Sequence, residues 1–210
     1  PANSERALLD AGTAIHPGFL AAVEVGVRPA DRMAIVHTSG STSAPKGVVH
    51  THGGLIRHLD TLNQIRGLVR GDRLFSNSPF FWIGGLAYNL VGSLVARSTL
   101  IVATSGDPGR TLDLIERERP RMVNGFAQTV ASVVGDPTYL ERDFSSVEVG
   151  NLYAIMPEKL RPADPELRHN MLGMTETGSV CLTWPDAGDL PESMRGSFGK
   201  PVPGLEARIV

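Results

Sequence analysis

Along the chain, short apolar runs alternate with stretches whose apolar residues recur every three or four positions. Residues 4–11 and 18–25 carry helical patterning, the second with Phe19, Leu20 and Val23 on one side, before Arg28-Pro29-Ala30-Asp31 breaks it. Met33-Ala34-Ile35-Val36 is a short apolar run that ends in a Ser/Thr/Gly cluster, which predicts a buried strand feeding a loop. A helix is predicted over 48–62 from the spacing of Leu55, Ile56 and Leu59. Leu74-Phe75, Leu100-Ile101-Val102, Met122-Val123, part of 147–155 and 170–172 predict further strands. Between them lie helical patterns over 83–95, 111–118 (Leu112 and Ile115 inward) and 128–134. Strands alternating with helices of this length predict an α/β fold, with largely parallel sheet layers flanked by helices. Residues 197–210 are rich in Gly and Pro and stop in an apolar run with no turn signal, so the chain reads as cut rather than finished.

Composition narrows the classes. The 210 residues give a prior of one to two domains, and 41% hydrophobic content is enough for a core. Lys plus Arg number 20 against 22 Asp plus Glu, so no global field draws the protein to nucleic acid or anionic lipid. Gly (23) and Pro (15) are abundant, which suits turns and backbone-built sites. Cys181 is the only cysteine, which excludes a disulfide framework and fits a reduced, cytoplasmic setting. No charge falls between Arg73 and Arg97, yet Ser76-Asn77-Ser78-Pro79, Gly84-Gly85, Asn89, Gly92 and Ser93 interrupt that stretch. A spanning helix needs about 20 predominantly apolar residues, so no transmembrane segment is expected there.

The chemistry concentrates in Thr38-Ser39-Gly40-Ser41-Thr42-Ser43-Ala44-Pro45-Lys46-Gly47. Hydroxyl and backbone N–H donors after a strand can wrap phosphate oxygens, with Lys46 as a point charge and the glycines allowing close approach. It is not a Walker A loop, because counting from Gly40 puts Pro45 and Gly47 in the deciding places.

These ten residues resemble the phosphate-loop signature of the adenylate-forming superfamily, and Val48-Val49-His50-Thr51-His52 continues the likeness. That superfamily holds acyl-CoA and aryl-CoA synthetases, luciferases and the adenylation domains of peptide synthetases. Ser43 stands where the family most often has glycine. Leu172-Gly173-Met174-Thr175-Glu176-Thr177 resembles a second signature, an aromatic residue followed by Gly-x-Thr-Glu. The resemblance implies that Thr38, Ser39, Gly40, Ser41, Thr42, Ser43 and Lys46 grip the phosphates of ATP. It implies that Glu176 helps hold Mg²⁺ and that Thr175 contacts phosphate as its catalytic partner. A hard cation shared between one carboxylate and phosphates is sound chemistry. Ala154, Leu172, Gly173 and Met174 are implied at the nucleotide, although Leu172 replaces the usual ring and Leu152-Tyr153-Ala154 stands where a Gly-Gly-Ala run is usual. Residues 195–204 resemble a third segment and read as a rigid turn series.

Pro79-Phe80-Phe81-Trp82-Ile83-Gly84-Gly85-Leu86 and Asn124-Gly125-Phe126-Ala127-Gln128 resemble the two walls of the family's carboxylic-acid tunnel. Trp82, Gly84, Gly125 and Phe126 are the implied acid-binding residues. With no basic residue for a second carboxylate and no aspartate for an ammonium, an apolar acid is expected. A fatty acid comes first, an aromatic acid second and an amino acid third. The resemblance thus implies ATP-dependent activation of the acid through an acyl-adenylate to a CoA thioester, with ATP, Mg²⁺ and CoA as cofactors. The rival is a non-catalytic nucleotide-binding or scaffolding relative, favoured by Leu172, Leu152-Tyr153 and Ser43. The likeness makes 33–210 the central part of the adenylation domain and 1–32 a helical lead-in. The ribose-binding aspartate and the small C-terminal domain with its adenylation lysine would lie beyond Val210, so the chain alone is expected to be inactive.

Overall fold

The computed structural model describes residues 5–39, 44–103, 106–168, 171–185 and 188–208. Helices α1 (Glu5–Thr13) and α2 (Pro17–Gly26) open it, close to the predicted spans. Strands β1 (Arg32–Thr38) and β2 (Lys46–Thr51) then form an antiparallel hairpin, with Thr38 opposite Lys46 and Ile35 opposite Val49. Two expectations are corrected here. The 33–36 run is not a buried strand, since only Val36 is buried along β1 and Ile35 is 54% exposed. The helix predicted from residue 48 starts later, because 48–51 belong to β2 and α3 spans His52–Arg66. β-branched Val48, Val49 and Thr51 favour extended backbone. Thr51 then sets the boundary as the N-cap, its Oγ1 accepting from Gly54 N at 3.2 Å.

The centre is an all-parallel sheet in the order β4–β3–β5–β6, built from β3 (Arg73–Ser76), β4 (Thr99–Val102), β5 (Met122–Asn124) and β6 (Val149–Gly150). Alternation sends Phe75, Ile101 and Val123 into a core with α5 (Pro108–Glu118) and α6 (Ala127–Val134), while Leu74 and Met122 pack with Leu68. Leu112 and Ile115 point inward from α5 as predicted. The strand predicted within 147–155 shrinks to two residues, followed by a 3₁₀ turn at Tyr153–Ile155.

Segment 83–95 is helical, but its first part, Gly84–Val91, is a π-helix that runs into α4 (Gly92–Ala96). π-Turns are uncommon and concentrate at functional sites. Arg66 holds this one from α3. Its Nη2 donates to Tyr88 O at 2.8 Å and to Asn63 Oδ1 at 2.7 Å, and its guanidinium lies 4.0 Å from the Tyr88 ring centre. A third, antiparallel sheet of β7 (Met171–Met174), β8 (Ser179–Thr183) and β9 (Lys200–Pro201) closes the molecule. Its Val180 joins Leu55, Leu59 and Leu62 of α3 and Ala87 and Val91 of the π-helix in a second core. Among the described residues the parallel layer is therefore one of three sheets, the other two being antiparallel. Among the described residues no helix is long and apolar enough to cross a membrane.

Where the chain enters β3 and β5, Arg121 clamps the Asp72 carboxylate at 2.6 Å and donates to Gly67 O at 2.6 Å. The Arg121 hydrogen bond holds the Asp72 carboxyl below its ordinary pKa, against the opposing effect of burial. A depressed folded value means that the stabilisation is present above the unfolded pKa of about 4 and is lost as pH falls through the folded value. Asp72→Asn is expected to cost about 1–2 kcal/mol at pH 7 and much less at pH 3. Urea unfolding at both pH values checks this, and an equal cost at both would show that the ionised pair is not the source.

Candidate active site

Strand β7 stands between two cavities and serves each with alternate residues. Met171 and Gly173 face a cavity of about 220 Å³, completed by Ile83 at the start of the π-helix, by Gly84, Tyr88 and Asn89 within it, by Asn124 at the end of β5 and by Gly125 and Phe126 after it. Leu172 and Met174 face a different cavity of about 320 Å³, beside Cys181, Pro201 and Leu205. The period of two in a strand explains the split.

The first cavity unites segments that lie far apart in sequence, and its geometry depends on Gly125. At φ +157°, a Cβ there would stand 1.8 Å from Asn77 Oδ1, the atom that accepts from Phe126 N at 2.9 Å. Asn151 braces the same turn, accepting from Gly125 N at 2.9 Å and donating to Gly125 O at 2.8 Å. Gly84, Gly125 and Phe126 all line this cavity. Trp82 does not, being 50% exposed, and it meets the site only by packing edge-on against the Phe126 ring, 5.2 Å between centres.

Beyond Met174 the chain makes a 3₁₀ turn, Thr175–Thr177. Thr177 Oγ1 fixes it through Met174 O (3.1 Å) and Ser179 O (2.8 Å). This turn packs on β2, and Gly178 sits close to His50 of β2 and Leu55 of α3. Exposed Glu176 borders a cavity of about 440 Å³ with His50, Thr51, His58 and Thr177. Burial keeps the His58 imidazole below its ordinary pKa, opposed by a hydrogen bond with the Val180 backbone.

Glu176 thus meets β2 at its Val49–Thr51 end, whereas Lys46 opens the same strand, roughly 13 Å from His50 at about 3.3 Å per residue. Thr38 is half-buried, and Ser39 and Lys46 are exposed at the two ends of the hairpin connection. Gly40, Ser41, Thr42 and Ser43 lie outside the described residues. Ala154 packs against the main core and its carbonyl accepts from Tyr139, so it lies apart from the cavities around β7. Leu172 and Met174 are likewise separated from Gly173 by the pleat. Among the described residues no cluster of three His, Cys, Asp or Glu could hold a metal by itself. One exposed carboxylate suits a Mg²⁺ that arrives already bound to phosphates, since that ion takes one or two carboxylates and fills its shell with phosphate and water.

Residues 3–210 match the family described as AMP-binding enzyme. The chain belongs to that family. Among its AMP-binding relatives, the benzoate–CoA ligase of Thauera aromatica is 30% identical over 190 residues, 87% of this chain and 35% of the relative. The 3-hydroxybenzoate–CoA ligase of Aromatoleum sp. (strain CIB) is 29% identical over 188 residues, again 87% and 35%. The chain therefore spans about a third of the length of these curated relatives. Among solved structures, the o-succinylbenzoate coenzyme A synthetase of Bacillus subtilis in complex with AMP superposes with a TM-score of 0.65 at 25% identity, covering 84% of this chain and 45% of that one. The shared architecture is the α/β layer arrangement described above.

Sequence reasoning did not find the polar members of the first cavity, Tyr88, Asn89, Asn151 and Ser179, nor His50 and His58 of the other. Asn89 was legible only as an interruption of an apolar stretch.

Proposed function

We propose that the native polypeptide carrying these residues activates an apolar, aromatic carboxylic acid with ATP and passes it to CoA. The observation that carries this reading is the 220 Å³ cavity, which joins both expected acid walls to the Gly173 strand that leads into Thr175 and Glu176. An apolar cavity of about 150 Å³ accepts benzene, so this one has room for a single ring with small substituents. The aromatic acids named for the two relatives support the same choice over the fatty acid expected from sequence.

A carboxylate oxygen of the acid attacks the α-phosphorus of ATP, and the bond to pyrophosphate breaks, leaving acyl-AMP. The CoA sulfur, its proton lost, then attacks the acyl carbon and AMP departs with the bonding pair. The protein's contribution is positioning and charge neutralisation. In this reading Lys46, Thr38 and Ser39, with Gly40, Ser41, Thr42 and Ser43, hold the triphosphate. Thr175 contacts phosphate, Glu176 takes the Mg²⁺ that accompanies ATP, and Gly84, Gly125 and Phe126 bound the acid, with Trp82 behind Phe126. Of the residues implied at the nucleotide, Leu172 and Met174 share one cavity with each other, whereas Gly173 borders the acid cavity and Ala154 lies apart from both, so only Leu172 and Met174 are kept on the proposed nucleotide side. Residues 33–210 are read as the central part of the adenylating domain, 1–32 as its helical lead-in, and the setting as cytoplasmic.

The test is pyrophosphate release by the native polypeptide with Mg-ATP and a panel of benzoates, cinnamates and C6–C16 fatty acids. Release with the monocyclic aromatic acids, at a kcat/KM at least about tenfold above that for palmitate, is the expected result. Nucleotide binding without acid-dependent release from any of them would favour the non-catalytic rival.

A further inference from the structure

We infer that Arg66, which does not line the 220 Å³ cavity, is the positioning residue for acid binding, because it holds Gly84–Val91 in the π-helical register that builds one cavity wall. This rests on the reading of that cavity as the acid site.

Arg66 closes α3 and is buried, yet among the described residues no carboxylate pairs with it. Its guanidinium is held instead by Asn63 Oδ1, which accepts from Nε at 3.1 Å and from Nη2 at 2.7 Å, by Tyr88 O and by the face of the Tyr88 ring. A buried cation without an anion is costly, so a purpose beyond packing is called for. The helix it touches supplies one. In an α-helix Gly92 N would donate to Tyr88 O, four residues back. Here Gly92 N donates to Ala87 O and Asn89 O, and Tyr88 O accepts from Arg66 Nη2 at 2.8 Å. Arg66 thus occupies the carbonyl that an α-helical register requires. Asn63 secures the other side of the joint, its Nδ2 donating to Gly92 O at 2.9 Å.

The register decides what the cavity wall is made of. A π-turn closes on the fifth residue, so Gly84 and Asn89 stand on one face, with Asn89 Nδ2 donating to Gly84 O at 3.1 Å. Both line the cavity beside Tyr88. At 3.6 residues per turn Asn89 would stand roughly 140° around the helix from Gly84, and the wall would lose one of them. Ala87 and Val91 anchor the same helix in the core with Leu55, Leu59 and Leu62 of α3, so a lost register alters the wall without unseating the helix.

The experiment measures kcat and the KM values for acid and Mg-ATP in pyrophosphate release by the native polypeptide carrying Arg66→Met, with a melting curve to establish folding. Methionine fills the space of the stem and donates nothing. KM for the acid is expected to rise about tenfold or more while kcat and KM for Mg-ATP stay within about twofold, since the altered wall serves acid binding alone. Gly92→Ala tests the same joint with the guanidinium still present. A Cβ there would stand 2.7 Å from Arg66 Nη2, the movable end of a long side chain, and alanine suits a helix better than glycine. The acid KM of this variant is expected to rise about threefold or more with the same split. An acid KM within about twofold of wild type in both variants overturns the inference, as does an equal rise in both KM values, which marks a merely structural role. If Arg66→Met does not fold, Gly92→Ala decides alone. A wild-type polypeptide that releases no pyrophosphate with any acid overturns the function reading, and this inference with it.

Discussion

Replacing Glu176 with alanine is expected to lower acid-dependent pyrophosphate release by about a hundredfold or more, equivalent to roughly 3 kcal/mol of transition-state stabilisation. The side chain is exposed on a short turn held by Thr177, and none of the turn's bracing hydrogen bonds uses the Glu176 carboxylate. Folding should therefore change by less than about 0.5 kcal/mol, and a melting curve separates loss of chemistry from loss of structure. Glu176 does not line the 220 Å³ cavity, so KM for the acid should hold while kcat falls. Excess Mg²⁺ should recover part of the activity. Release at the wild-type rate would remove Glu176 from the mechanism.

The second large effect is structural. Gly150→Ala is expected to destabilise the fold by about 3 kcal/mol or more, a fall in Tm of roughly 6–12 °C. Gly150 occupies φ +133°, and a Cβ there would stand 1.9 Å from Val123 O, on the neighbouring strand of the parallel sheet. The obstacle is backbone in the sheet interior, so neither a rotamer change nor a small shift relieves it. Val123 precedes Asn124 and Gly125, so displacement of β5 would reach the acid cavity as well. A Tm within 2 °C of wild type would show that the sheet edge yields more easily than its geometry implies.

The parallel sheet was legible because its strands are continuous apolar pairs, Leu74-Phe75 and Met122-Val123, buried on both faces. The hairpin was less so. Ile35 and Val49 are apolar but half-exposed and opposite each other, so the run at 33–36 reads as core when it is a largely open ribbon. β2 was hidden because its Val48-Val49 merges with the helical spacing of Leu55, Ile56 and Leu59, and only the Thr51 cap separates them. β8 and β9 were missed because Ser179 to Thr183 mixes small and polar residues, and β9 is a two-residue edge carrying Pro201. Gly84, Gly125 and Phe126, which line the 220 Å³ cavity, stand in segments singled out by motif resemblance, which marks where a backbone must pass. Asn124 opens the second of those resembling segments, whereas Asn89 carried no such mark. A polar residue in an apolar stretch reads as a break, and only the folded chain shows an amide oxygen left over.

The pleat of β7 ties two chambers to one ribbon, odd positions to one and even positions to the other. A substitution at Met171 or at Leu172 therefore remodels a single chamber and spares its neighbour. A one-residue deletion upstream would exchange the two linings wholesale, so this strand tolerates drift in side chains but not in length.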